Sequence, residues 1–276
     1  MRWAPRGAAL VVAAAAASPL LAARPEPATP SVAAVRVVEG RVEHGSDGSW
    51  KGESASFRMA PGEGVRTGRD GLAVLTLPWM QIVVGRDSAV SLPSGRVLST
   101  SLEKGRIEQR ASSDILKVKT KEAEVRGAGS VVVSRADEAP GLTRVSPLEG
   151  IFLVKAGRKV VAVAPGQGLL MRGKGAAPEV VALPETPRDL RPGRDPLYVE
   201  HGQPVTLTWA GTARRYHVEV SSLSGDEVLL ARDVAGSSVA VSLPGLGTFR
   251  WRVSAVDEDG LEGAPSDPGF VCVVEK

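Results

Sequence analysis

Apolar residues recur at every second position through most of the first half of the chain. Leu72, Val74 and Thr76 share one face of a run, and Ala73, Leu75 and Leu77 share the other. Val97-Leu98, Ile107, Leu116-Val118 and Val131-Val133 continue the alternation. No window of helical length shows apolar residues spaced by three and four, so residues 31–185 predict an all-β domain. Gly85, Gly105, Gly127 and Gly150 punctuate the runs at intervals of about twenty residues, as in a layered β-sandwich or solenoid-like stack. Glycine at such places supplies positive φ for tight turns.

A second pattern follows Pro184, Pro187, Pro192 and Pro196, which mark a linker over residues 186–195. Residues 196–276 contain seven short strand candidates, at 197–200, 204–209, 215–221, 227–232, 238–243, 248–257 and 269–274. That number of strands in so short a stretch predicts an immunoglobulin-like sandwich. Val205, Leu207 and Trp209 alternate inward, as do Tyr216, Val218 and Val220, and Phe249, Trp251, Val253 and Ala255. Arg250 and Arg252 face the other way. Trp209 and Trp251 sit on apolar faces and are expected in the core rather than on a sugar-binding platform.

The beginning of the chain differs from both patterns. Arg2 and Arg6 precede the apolar run Ala8 to Ala23, which reads as a secretory signal peptide over residues 1–23. Residues 24–30 are a Pro-rich, extended linker. A cleaved signal peptide and the competing reading, an uncleaved N-terminal anchor, both place the rest of the chain outside the cytoplasm, in the periplasm or another extracytoplasmic compartment, with no stable membrane span after cleavage.

Composition adds two constraints. Cys272 is the only cysteine, so no intramolecular disulfide can form. It alternates with Phe270 and Val274 and is expected to be a small buried hydrophobe. Residues 31–185 carry 22 basic and 17 acidic side chains, whereas residues 186–276 carry 9 and 13. The opposite signs fit two domains, and neither is basic enough to predict a nucleic-acid partner.

Candidate chemistry is sparse. His44 and His201 fall in Gly-containing segments read as turns, and His217 falls on the polar face of a strand. None has a second ligand at metal-binding spacing, and no Gly-x-Ser-x-Gly elbow occurs. Gly127-Ala128-Gly129 and Gly62-Glu63-Gly64 lack the following helix that a phosphate loop needs. Asp257-Glu258-Asp259-Gly260-Leu261-Glu262 does not fit a calcium loop and is read as a polar turn. Arg126 is read as a structural partner of Glu122 or Glu124. No catalytic, cofactor-binding or metal-binding residue is assigned, no cofactor is expected, and the chain is expected not to be an enzyme.

Several segments nevertheless occur in a recognisable order. Gly64-Val65-Arg66-Thr67-Gly68 leads into Leu72–Leu77, and Leu102-Glu103-Lys104-Gly105-Arg106-Ile107 follows. Val125-Arg126-Gly127 comes next, with Ala128 where a threonine is usual. Gly150-Ile151-Phe152-Leu153-Val154 and Val161-Ala162-Val163-Ala164-Pro165-Gly166-Gln167 close the series. This series resembles the FecR domain family of bacterial envelope proteins. Gly247 to Asp257 resembles the late strand of a fibronectin type III-like module. The resemblance implies a FecR-like layered sandwich followed by a fibronectin type III-like one, with another cell-envelope protein as partner. About seven residues precede the apolar segment, too few for the cytoplasmic signalling segment of well-studied relatives. The alternatives are a peptidoglycan- or polysaccharide-binding protein, meeting cell-wall glycan through the basic first domain, and a hydrolase with a dispersed site.

Overall fold

The computed structural model describes residues 32–46, 48–94, 99–111, 116–136, 141–224 and 227–276. The signal segment, the Pro-rich stretch before residue 31 and Val97-Leu98 lie outside the described residues. The described residues form strands and turns without a helix, so the chain is all-β.

Seventeen strands build a first sandwich. They are β1 (Ala33–Glu39), β2 (Val42–Ser46), β3 (Ser49–Glu53), β4 (Phe57–Met59), β5 (Gly64–Thr67), β6 (Leu72–Leu77), β7 (Met80–Val84), β8 (Ala89–Ser91) and β9 (Thr100–Ala111). Then come β10 (Leu116–Lys119), β11 (Glu124–Gly127), β12 (Ser130–Ala136), β13 (Leu142–Glu149), β14 (Phe152–Ala156), β15 (Lys159–Val163), β16 (Gln167–Arg172) and β17 (Glu179–Ala182). The rest form a second sandwich: β18 (Arg188–Arg191), β19 (Leu197–Glu200), β20 (Val205–Ala210), β21 (Arg215–Ser222), β22 (Val228–Ala235), β23 (Ser238–Val241), β24 (Gly247–Val256) and β25 (Gly269–Val274).

The first sandwich has two layers. One runs β4-β1-β6-β7-β9-β12-β13-β16-β17. The other runs β3-β2-β5-β8-β9-β10-β11-β14-β15. Successive hairpins alternate between the layers, which gives the stacked, solenoid-like arrangement expected from the glycine spacing. Strand β9 belongs to both. Its first residues pair with β8 and β10, and Ile107 to Ala111 pair with β7. The crossing falls at Gly105, whose φ is 87°. A Cβ there would also run into Ser88, so only glycine fits. Gly127 has a different reason: it lies against Phe152, where an added Cβ would come within 2.5 Å of the ring.

The alternating positions fill the space between the layers. Val35, Ala73, Leu75, Ile82, Ile107, Val118, Val125, Val133, Phe152 and Leu169 are among the buried residues of this core. The Thr67-Gly68 turn is fixed from within: Thr67 Oγ1 donates to the Gly85 carbonyl at 2.6 Å and accepts from Ser88 N at 2.9 Å.

The second sandwich pairs a three-stranded sheet, β18-β20-β23, with a five-stranded sheet, β19-β25-β24-β21-β22. All seven expected strands form, and Arg188–Arg191, within the segment read as linker, adds β18 against β20. Trp209 and Trp251 are core residues, with ring centroids 6.3 Å apart. Trp251 Nε1 donates to the Pro192 carbonyl at 3.0 Å, tying the Pro-rich stretch to the sandwich. Cys272 corrects an expectation. It does share a face with Phe270 and Val274, but the core face of β25 is Val271 and Val273. Cys272 is therefore half-buried on the outer face.

Candidate functional site

The two sandwiches meet face to face, and the contact explains a feature of the sequence. Strand β6 is apolar on both sides because Ala73, Leu75 and Leu77 point into the first core while Leu72 and Val74 point out. Leu72, Val74 and Val83 then pack against Val228 and Ala231 of β22. Strands covered on both faces lose the polar half of their alternation.

Beside this apolar patch lies a layer of buried charge. Ile107 enters the core, so β9 presents Arg106, Glu108 and Arg110 outward. Tyr216, Val218 and Val220 fill the second core, so β21 presents His217, Glu219 and Ser221 toward β9. Arg106 Nη2 lies 2.7 Å from Glu262 and 3.5 Å from Glu108. Arg110 Nε reaches Glu108 at 2.7 Å, and its Nη2 forks onto Glu219 at 2.8 and 2.9 Å. Around the rim, Arg36 pairs with Glu227 at 2.7 Å and donates to the Val228 carbonyl, while Arg232 meets Glu39 at 3.0 Å.

The acidic turn after β24 completes the clamp. Asp257 Oδ1 accepts from Leu261 N at 2.8 Å and closes the turn. Arg144 Nε donates to the Asp259 carbonyl, Arg172 Nη2 pairs with Asp259 Oδ1 at 2.8 Å, and Ser146 Oγ accepts from Glu262 N at 3.1 Å. Leu261 is fully buried. The segment weighed as a calcium loop thus turns Asp259 and Glu262 toward arginines of the first sandwich.

Electrostatics fix the ionisation of this layer. Burial favours a neutral Glu108, but Arg110 and Arg106 outweigh it and hold its carboxyl below the usual range. Burial also opposes charge on Arg106 and Arg110; Glu262 with Glu108, and Glu108 with Glu219, more than offset it and raise both guanidinium values. Burial and Arg106 push His217 down. Glu262 and a 2.7 Å hydrogen bond between Nδ1 and Asp233 Oδ1 outweigh them and lift it above 6.5. Desolvation raises the Asp233 carboxyl, but the bond and charge of His217 bring it from 3.8 to about 2. Asp233 keeps 75% of its side-chain exposure, so water screens this pair.

A cavity of about 190 Å³ remains in the layer, walled by Glu108, Arg110, His217, Glu219, Arg252 and Glu262. His217 Nε2 and Ser130 Oγ are buried without a protein partner among the described residues, and a polar space of this size has room for water to bridge them. The carboxylates Glu108, Glu219 and Glu262 are each bonded by an arginine. The arrangement acts as a clamp between sandwiches.

The clamp has a pH signature. His217 is raised in the folded chain, so its contribution is full below about 6.5 and is lost as pH rises through the folded value. Asp233 is lowered, so its share is present above 3.8 and is lost as pH falls toward about 2. The urea midpoint is expected to fall from about pH 5.5 to about pH 8.5, and His217→Gln to flatten that decline. An equal decline in the variant would remove His217 from the account.

The remaining sequence candidates are accounted for one by one. His44 is not in a turn: it lies on β2, paired in register with Lys51, 3.2 Å from Glu53 and against the ring of Phe57. His201 is in a turn after β19. Arg126 pairs with Glu124 at 2.5 Å, while Glu122 is taken by the buried Arg135 at 2.9 Å and by the Thr143 hydroxyl at 2.7 Å.

Among the described residues, no element packs on the outer face of the other layer of the first sandwich. Its last hairpin, β14–β15, exposes Ile151, Leu153 and Val160 at 63%, 51% and 58%. Among the described residues β15 pairs with β14 alone, leaving its other edge open.

No family model matches the chain, and no curated protein matches it. Among solved structures it is similar to two crystal structures of a candidate anti-sigma factor from Parabacteroides distasonis ATCC 8503. Each is 17% identical with a TM-score of 0.39, covering 43% of this chain and 59% of that one. It is also similar to the glycoside hydrolase domain of Endo-D from Streptococcus pneumoniae R6, at 15% identity and a TM-score of 0.26, covering 72% of this chain and 38% of that one. The chain thus spans 59% of the length of the first of these relatives. Similarity at this level assigns neither a family nor an activity. The fold and the interface define an all-β protein of two docked sandwiches.

Proposed function

We propose that the chain is an exported, non-enzymatic protein of the bacterial cell envelope, FecR-like in its first sandwich, that docks another envelope protein. The observation that carries this reading is the β14–β15 hairpin, an open sheet edge flanked by three exposed apolar side chains. An open edge offers main-chain hydrogen bonds to an added strand, and alternate apolar residues supply anchoring contacts. The ordered sequence motifs and the apolar Ala8 to Ala23 segment support the family and the export. The docked second sandwich supports a scaffold role, because it holds the first in a fixed orientation.

The test is formaldehyde cross-linking of the tagged chain in intact cells, followed by capture. One defined envelope protein is expected with the wild-type chain. Its yield is expected to fall at least about tenfold with Leu153→Asp/Val160→Asp, since charges placed in an apolar contact are costly. An undiminished yield with the double variant would remove the hairpin from the reading.

A further inference from the structure

A second surface on the same layer has its own chemistry. Strands β2, β5, β8, β9 and β10 place Val42, Val65, Val90, Leu102 and Val118 in the core, so their alternate residues face outward. One outward row runs in register from Trp50 through Gly45, Gly64, Ser91 and Ser101 to Lys119. Its middle carries little or no side chain, so the surface dips there. Beside it opens a basin of about 640 Å³, whose walls include Arg66, Ser101, Lys104 and Lys121.

The charge of the basin is uneven. Arg66, Lys104 and Lys121 on its walls, and Lys119 at the end of the neighbouring row, are exposed and have no carboxylate partner among the described residues. Arg135 at the same basin is neutralised by Glu122, and Glu103 is the exposed acid on the rim. Arg66 is held in place: its guanidinium carbon sits 3.7 Å over the Trp50 ring. Trp50 in turn lies on Gly64, where an added Cβ would come within 3.2 Å of the indole. A stacked guanidinium keeps its N–H edge free and loses little entropy on binding an oxyanion.

We infer that this basin binds an anionic glycan. The apolar residues lining it, Leu102 and Ala89, are buried, so it lacks the exposed apolar anchors of a protein contact. Single-stranded nucleic acid needs open aromatic platforms, and the Trp50 ring is covered by Arg66. A polar, shallow basin with unpaired cations suits a sugar chain. Hydroxyls meet Ser101 and the glycine backbone, and its carboxylate, sulfate or phosphate groups meet Arg66 and the lysines.

The test measures binding of the full chain to polygalacturonate, dextran sulfate, neutral dextran and polyglutamate at low salt. Binding to at least one charged glycan and not to dextran is expected, weakening as salt rises. Arg66→Gln/Lys104→Glu/Lys121→Glu is expected to lose at least about tenfold in affinity with an unchanged melting temperature. Arg66→Lys, which keeps the charge and loses the stacked fork, is expected to lose severalfold. Absence of glycan binding, triple-variant binding equal to wild type, or polyglutamate binding as tight as the glycans would each overturn the inference. Leu153→Asp/Val160→Asp is expected to bind glycan normally, so this result and that of the protein-docking test fail separately.

Discussion

Arg106→Met is expected to lower the stability of the docked pair of sandwiches by about 3–5 kcal/mol. Arg106 is mostly buried and serves two carboxylates, Glu262 across the interface and Glu108 on its own strand. Methionine fills much of the same volume, so packing is largely kept and the loss is electrostatic. Glu108 retains Arg110, but the buried Glu262 carboxylate loses the guanidinium bonded to it at 2.7 Å. Breaking one side of such a pair costs more than removing both. Arg106→Met/Glu262→Met is therefore expected to recover most of the loss. Urea midpoints of the two single variants and the double variant measure the coupling. Additive losses would show that Arg106 and Glu262 do not act as a pair.

Trp251→Ala is expected to cost a similar amount, about 3–5 kcal/mol, and to act through the second core. The side chain is 1% exposed and packs near Trp209. Its indole N–H also holds the half-buried Pro192 carbonyl, so truncation both opens a cavity and removes that bond. Trp251→Phe keeps most of the volume and loses the bond, so its expected cost is smaller. A loss of that size is a large part of the stability of a single domain. It is expected to undock the second sandwich and expose Leu72, Val74 and Val83, which increased binding of a hydrophobic dye would report. A Trp251→Ala chain that melts at the wild-type temperature would contradict the packing described for this core.

How much of this was legible in the sequence depends on distance along the chain. Period-two alternation separated Ala73, Leu75 and Leu77 from Leu72, Val74 and Thr76 without telling which face is core, and it placed Val205, Tyr216 and Trp251 in the second core. Seven of the eight strands of the second sandwich were readable, because each is short, alternating and bounded by turn residues; β18 falls in the segment read as linker. The interface was not. His217, Glu219, Arg250 and Arg252 alternate with core residues and look like a solvated face. Pairs across the interface join residues far apart in the chain, 109 positions for Glu219 and Arg110 and 193 for Arg232 and Glu39. One signal was present: β6 and β7 are apolar on both faces, and such strands need a cover on each side. His44 was misplaced because Gly45 and Gly48 suggested a turn, whereas Gly45 is accommodated within β2. Cys272 was assigned to a buried face because Phe270 and Val274 flank it, but the second core takes Val271 and Val273.

The two faces of the first sandwich have different fates. One is consumed by the second sandwich through an apolar patch and a charged clamp. The other carries the open hairpin edge and the basic basin, and both proposed contacts lie there. The basin is polar and the hairpin apolar, so a protein and an anionic glycan could occupy the face together.

Site-specific photo-cross-linking in intact cells tests the central claim most directly. A photoreactive residue replaces Leu153 on the hairpin in one chain and Tyr198, exposed on the second sandwich, in another. A single envelope-protein adduct is expected from position 153, lost on adding Val160→Asp, and no such adduct from position 198. The same adduct from both positions, or none from position 153, would contradict that claim.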